Sequence, residues 1–133
     1  MKKHPLLHAD LSAAIARLGH NDQLAIGDAG MPIPPGPQRI DLALTGGIPS
    51  FLDTLRVVVS EMVVQSVIVA EEILTKNPTV LAGIREILPG VEIEMVPHLD
   101  LKERTKSASA MVRTGEYTPY ANVILVAGVA FTV

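Results

Sequence analysis

Short β-branched runs alternate along this chain with stretches whose apolar residues recur at helical spacing. SVIVA (Ser66–Ala70) reads as a buried strand, VEIEMV (from Val91) alternates as another, and NVILVAGVAF (from Asn122) makes the last. LAIG, from Leu24, is a further short run that stops at Asp28, and IDLAL alternates through Ile40, Leu42 and Leu44. Between these lie the helical stripes. Leu11, Ala14, Ile15 and Leu18 follow Asp10, an N-cap residue type, and stop at Gly19. Ser50 and Asp53 have capping-box-like spacing ahead of Leu55, Val58, Val59 and Met62. Asn77-Pro78 places a cap and a first-turn proline before Val80, Leu81, Ile84, Ile87 and Leu88, with Pro89-Gly90 as the stop. A last helix is expected from about Asp100 to Arg113, closed by Gly115. Pro32, Pro34, Pro35 and Pro37 make the connection after Asp28 irregular and stiff. This alternation predicts a layered α/β fold with a largely parallel sheet flanked by helices, in one domain over residues 1–133.

Length agrees, since 133 residues suffice for one real core and are too few for two ordinary domains. The chain is 48% hydrophobic but only 3% aromatic, more aliphatic surface than a small domain can bury, which predicts a homo-oligomer, although β-branched richness alone also fits a sheet buried on both faces. Eleven Lys and Arg against 14 Asp and Glu leave no basic stripe for nucleic acid. With no cysteine, disulfides and thiol catalysis are excluded, and a reducing compartment fits. Pro5, His8, Asp10 and Arg17 interrupt any signal-peptide run, and no stretch nears the roughly 20 apolar residues a membrane span needs. A cytoplasmic protein without membrane contact is expected.

In open α/β sheets ligands gather at the carboxyl ends of strands. Three polar clusters are expected at or near such positions: Gly19–Asp22 with Asp28-Ala29-Gly30, then Pro97-His98, then Thr114-Gly115-Glu116 with Pro119–Asn122. His20 is the best acid/base candidate, because imidazole titrates near neutrality; a histidine at a helix C-terminus is also stabilised by the dipole with no further role. Asp28 suits a ligand contact and equally caps a turn before Ala-Gly. His98 can touch ligand or simply begin a helix, and Lys102 follows four residues on along the same helical face, where a solvated lysine is the plainer reading. Tyr120 and Asn122 offer a hydroxyl and an amide to a polyol, although Asn before a strand is commonly a turn residue. Glu71-Glu72 is a carboxylate pair or a pair of solvated strand-end acids. His4 and His8 lack a third ligand and are separated by Pro5, so a terminal tail is expected there, not a metal site. Thr45-Gly46-Gly47 lacks the rest of a phosphate loop, and no Gly-x-Ser-x-Gly elbow occurs.

Taken in order, LGHND (18–22), IGDAGMPIPPG (26–36), IDLALTGGIPSF (40–51), VIVAEEI (67–73) and RTGEYTPYANVIL (113–125) resemble the D-ribose pyranase family over nearly the whole chain. Fucose mutarotases share the GH-x-D and TGE…Y-x-N signatures, while DAGMPIPPG and IDLAL look like the ribose type. The resemblance implies an enzyme that interconverts ring forms of free D-ribose without cofactor or metal. It implies His20 as proton donor, and sugar contacts from Asp28, His98, Lys102, Tyr120, Ala121 and Asn122, with Ala121 acting through its backbone. It further implies ring-shaped oligomers, decamers of two stacked pentamers, with sites near subunit contacts. On this reading a carboxylate such as Asp28 orients His20, and hydrogen bonds dominate recognition because there is no Trp to stack on. A fucose-type mutarotase and a non-catalytic sugar-binding module are the two alternatives.

Overall fold

The computed structural model describes residues 1–3 and 5–131. Along the chain these form α1 (Ala9–Ala16), β1 (Gln23–Gly27), β2 (Gln38–Asp41), α2 (Phe51–Val59), β3 (Val64–Ala70), α3 (Ile73–Lys76), α4 (Pro78–Ile87), β4 (Glu92–Val96), α5 (His98–Thr105), β5 (Ala110–Arg113) and β6 (Val123–Ala127). The strands make one six-stranded sheet in the order β2-β5-β1-β6-β3-β4. The pairs β2–β5, β5–β1 and β3–β4 are parallel, and β6 alone runs against its neighbours β1 and β3. The sheet is thus largely parallel with helices packed on it, as the alternation predicts.

Local sequence explains where the helices begin. Ser50 accepts the Asp53 N–H at 3.1 Å to start α2, and Asn77 accepts the Val80 N–H at 3.4 Å to start α4, with Pro78 in the first turn. Alternate strand residues then face opposite layers. Leu24, Ile26, Val67, Val69, Val123 and Leu125 pack against the layer containing Leu11, Phe51, Leu55 and Ile84. Ala25, Ile68, Met111 and Ile124 face Leu101 of α5 and Met31 of the proline-rich loop.

The structure departs from the sequence reading in four places. Helix α1 is capped by His8, not Asp10: His8 Nδ1 accepts the Leu11 N–H at 3.2 Å, and the helix closes at Ala16. His8 is therefore part of a helix cap, not of a tail, while His4 lies outside the described residues. The helix expected over 100–113 ends at Thr105, and Ala110–Arg113 form β5, an interior strand between β2 and β1. Ala110, Met111 and Val112 are all buried, which a strand covered on both faces permits and a surface helix does not. The IDLAL alternation carries the strand only to Asp41, whose Oδ1 accepts the Ala43 N–H at 3.2 Å and turns the chain, leaving Leu44 exposed. Finally α3, a single turn, follows β3 where the sequence marks no element. Among the described residues no helix is long and apolar enough to cross a membrane.

Candidate active site

Because β6 runs against β1, its first residue pairs with the end of β1: Val123 stands opposite Ile26. The residue before β6 therefore meets the residue after β1. Asn122 Oδ1 accepts the Asp28 N–H at 2.9 Å, and Asn122 Nδ2 donates to Asp28 Oδ2 at 3.1 Å. Asp28 Oδ1 accepts the Gly30 N–H at 2.9 Å, so the carboxylate is held on both oxygens. Gly27 is required for this approach, since a Cβ there would lie 2.9 Å from Asn122 Oδ1 and 2.8 Å from Met31 Cβ.

On the other side of β6, Tyr120 meets His98 edge to face, with ring centroids 5.1 Å apart. Tyr120 has φ of +58°, a left-handed conformation that is costly for a bulky residue and held here by its surroundings. His98 begins α5, and its N–H donates to the Glu72 carboxylate at 3.1 and 3.2 Å. Glu72 is thus a helix-capping acceptor and not half of a paired-carboxylate site. Among the described residues His98 Nδ1 is buried with no hydrogen-bond partner, the state of a polar atom that a ligand can satisfy. Ala121 is fully buried between Tyr120 and Asn122. Lys102, one turn after His98, lines a separate recess of about 120 Å³ with Pro32, Pro34 and Lys106.

Beside Asp28 opens a cleft of about 480 Å³, lined also by Arg113, Glu116, Tyr117 and Thr118. The sequence reading singles out none of these four individually, and two of them carry the hydrogen bonds that shape the cleft. Arg113 grips Asp41 through Nε and Nη2 at 3.0 and 2.9 Å, and its Nη1 donates to the Ala29 carbonyl at 3.1 Å. The guanidinium hydrogen bond holds the Asp41 carboxyl below its ordinary range. Glu116 accepts the Phe51 N–H at 3.0 Å and the Thr118 hydroxyl at 2.8 Å, while its own carbonyl accepts the Ala29 N–H at 2.8 Å. Burial alone would raise the Glu116 carboxyl, but the hydrogen bonds from Phe51 and Thr118 outweigh it and hold it below the usual value. The Arg113 side chain and the Glu116 backbone carbonyl brace the loop that carries Asp28.

His20 stands elsewhere. It precedes β1, whereas Asp28 follows it, so the five residues of β1 separate them by about 16 Å. The expected orientation of His20 by Asp28 does not occur within the chain. Asp28 is occupied by Gly30 and Asn122, and His20 Nε2 pairs instead with Gln65 Oε1 at 3.0 Å. His20 lines a second cleft, of about 470 Å³, with Ile15, Leu18, Met62 and Phe131. The chain thus gathers Asp28, His98, Tyr120, Ala121 and Asn122 along the carboxyl edge, leaves Lys102 in the neighbouring recess, and puts His20 at the opposite edge. No group of three His, Cys, Asp or Glu side chains among the described residues is arranged to hold a metal ion.

Comparison with known proteins follows the same lines. The model of the RbsD / FucU transport protein family matches residues 1–130. The D-ribose pyranase of Levilactobacillus brevis is 53% identical over 131 residues, covering 98% of this chain and all of that protein. The D-ribose pyranase of Chloroflexus aggregans is 54% identical with the same coverage. Among solved structures, Bacillus subtilis RbsD complexed with D-ribose has a TM-score of 0.95 at 46% identity, covering 98% of this chain and 100% of that one. The fucose mutarotase of Streptococcus pneumoniae, in complex with L-fucose, has a TM-score of 0.77 at 25% identity, covering 92% and 94%.

Proposed function

The chain belongs to the RbsD/FucU family, and from that footing we propose that it is a D-ribose pyranase, an isomerase that interconverts the pyranose and furanose forms of free D-ribose. What carries the reading is the carboxyl-edge cluster of Asp28, Asn122, Tyr120 and His98, in a fold that superposes at a TM-score of 0.95 on a relative described as complexed with D-ribose. The fucose-type alternative is weaker, since the likeness there falls to 0.77 and 25% identity.

Ring opening needs a proton on the ring oxygen and loss of one from the anomeric hydroxyl. The open-chain aldehyde then rotates, and another hydroxyl closes the furanose. Nothing is oxidised, so the chemistry calls for no cofactor or metal. Asp28, His98, Asn122, Tyr120 and the Ala121 backbone hold the polyol, with Lys102 at the margin. His20 gives the proton, a role that general acid catalysis makes worth roughly 10²–10⁴-fold in rate.

One sugar cannot touch His20 and Asp28 of the same chain across the length of β1. The site therefore forms between copies, His20 of one meeting the carboxyl edge of another, in a cytoplasmic homo-oligomer of decameric size. The exposed Leu44, Ile48, Leu99 and Phe131 support such an assembly.

Mixed assembly tests this. His20→Gln and Asp28→Asn, each prepared alone, should be slow. Refolded together one to one, they should recover about a quarter of wild-type turnover, because random pairing restores that share of shared sites. Absence of any recovery from mixed oligomers would mean that each site lies within one chain.

A further inference from the structure

His20 is held by one side chain, and an irregularity in the sheet delivers it. Pairing of β3 with β6 shifts between Val64, opposite Ala127, and Ser66, opposite Val126, which makes Gln65 the extra residue of a bulge. A bulge takes a side chain out of strict alternation and re-aims it. Gln65 Oε1 consequently reaches His20 Nε2 at 3.0 Å, while Gln65 Nε2 donates to Asn21 Oδ1. Two neighbours fit this arrangement. Gly128 leaves room for it, since a Cβ there would lie 3.3 Å from Gln65 Cβ and 3.1 Å from Val63 Cγ1. Asn21 takes the left-handed conformation, φ +71°, and its N–H donates to the Ala127 carbonyl at 2.9 Å.

We propose that Gln65 is a positioning residue for the proton transfer: its amide oxygen keeps a proton on His20 Nε2, so that Nδ1 is the atom that gives the proton to the sugar. The inference rests on the reading of His20 as proton donor. An imidazole that donates must first carry a proton on both nitrogens. With the Gln65 amide reversed, its N–H would face the N–H of that ring. Only the orientation present here, oxygen to His20 and nitrogen to Asn21, accepts a charged imidazole. The nearby carboxylates are engaged otherwise: Asp22 accepts the Gly19 N–H at 2.7 Å, and Glu61 pairs with Lys2 at 3.3 Å. In the step itself the bond from the anomeric carbon to the ring oxygen breaks with its electron pair going to that oxygen, which takes the Nδ1 proton and becomes a hydroxyl, while the Nδ1–H pair stays on the imidazole and leaves it neutral. The anomeric hydroxyl releases its proton to water as the aldehyde forms.

Gln65→Met keeps the length and loses the acceptor, whereas Gln65→Glu keeps an oxygen in place. Exchange NMR between ribose ring forms should show Gln65→Met slower in kcat by about ten- to thirtyfold with KM within about twofold, the signature of a lost charge-assisted hydrogen bond that matters in the transition state. Gln65→Glu should stay within about threefold of wild type in both constants. Nitrogen-15 spectra of the His20 ring should place the proton on Nε2 in wild type and lose that fixed assignment in Gln65→Met. Equal slowing by Met and Glu would make Gln65 a bulge residue with no electrostatic part, and overturn the proposal. His20→Gln measured alongside separates the two claims. Normal turnover in that variant sinks the donor assignment itself, while a slow His20→Gln with a normal Gln65→Met sinks only the role of Gln65.

Discussion

Asn122 and Asp28 are 94 positions apart and satisfy each other twice, the Asp28 N–H on Asn122 Oδ1 at 2.9 Å and the Asn122 amide N–H on Asp28 Oδ2 at 3.1 Å. The double contact fixes which way the buried amide faces and where the carboxylate points. Asn122→Asp keeps the shape and the acceptor but sets a second negative oxygen against Asp28. Stability at pH 7 should fall by about 2 kcal/mol, from the lost hydrogen bond and the like-charge contact. The ribose KM should rise by about tenfold or more as the carboxylate swings off its site. Urea unfolding and exchange kinetics read the two effects separately, and an unchanged KM would remove Asp28 from sugar binding.

Glu116 predicts a pH dependence. Its folded pKa lies below the ordinary 4.5, so the stability it contributes is present above that value and is lost as pH falls through the folded one. Glu116→Gln loses the charged acceptor for Phe51 and Thr118. The variant should be less stable than wild type by about 1 kcal/mol at pH 7, a modest figure because the carboxylate is partly solvated. The gap should shrink as pH falls below 4.5 and through the lower folded value. Urea titrations at neutral and acid pH decide it, and a gap that widens in acid contradicts the assignment.

Two glycines should differ in how much they tolerate a side chain. A Cβ on Gly115 would lie 2.5 Å from the carbonyl oxygens of both Thr45 and Ile48, backbone atoms that cannot step aside. On Gly83 it would meet only the Leu52 side chain, whose tip stands 2.6 Å away and can rotate. Gly115→Ala should cost about 3 kcal/mol, and Gly83→Ala, where helix propensity favours alanine, less than about 1 kcal/mol. Denaturation midpoints test the contrast.

Assembly can be weighed directly. Light scattering at micromolar concentration should give many times the 14.2 kDa of one chain. Dilution that dissociates the assembly should abolish turnover along with it. A monomer with full activity would end the shared-site account.

Much of this fold was legible because its signals are local. Ser50 with Asp53 and Asn77 with Pro78 mark helix starts within four residues, and both are used as caps. β5 was not legible, since Ala110–Arg113 is four residues long, has no period, and is a strand only because β1 and β2 flank it. The His8 cap was missed because histidine is a rare choice there, its ring nitrogen standing in for the usual side-chain oxygen. In the site, Asp28 and Asn122 are polar residues bordering apolar runs and stand out on that ground. The Arg113–Asp41 pair spans 72 positions and depends on the β2–β5 register, which no short-range pattern contains. The separation of His20 from Asp28 was within reach, because one precedes and the other follows a run already read as a strand.

The reversed strand β6 also bears on how the chain is made. It lies between β1 and β3 and, among the described residues, is the strand that joins β2-β5-β1 to β3-β4. During synthesis β3 and β4 can pair early, whereas β1 and β2 are not neighbours and wait for β5, which is made only about ten residues before β6. Vectorial folding cannot close the sheet until Val123–Ala127 has left the ribosome, roughly a hundred residues after β1 emerged. Closure of the sheet is therefore a late event, and the edges of β1 and β3 that face β6 stay uncovered until the end of the chain is made.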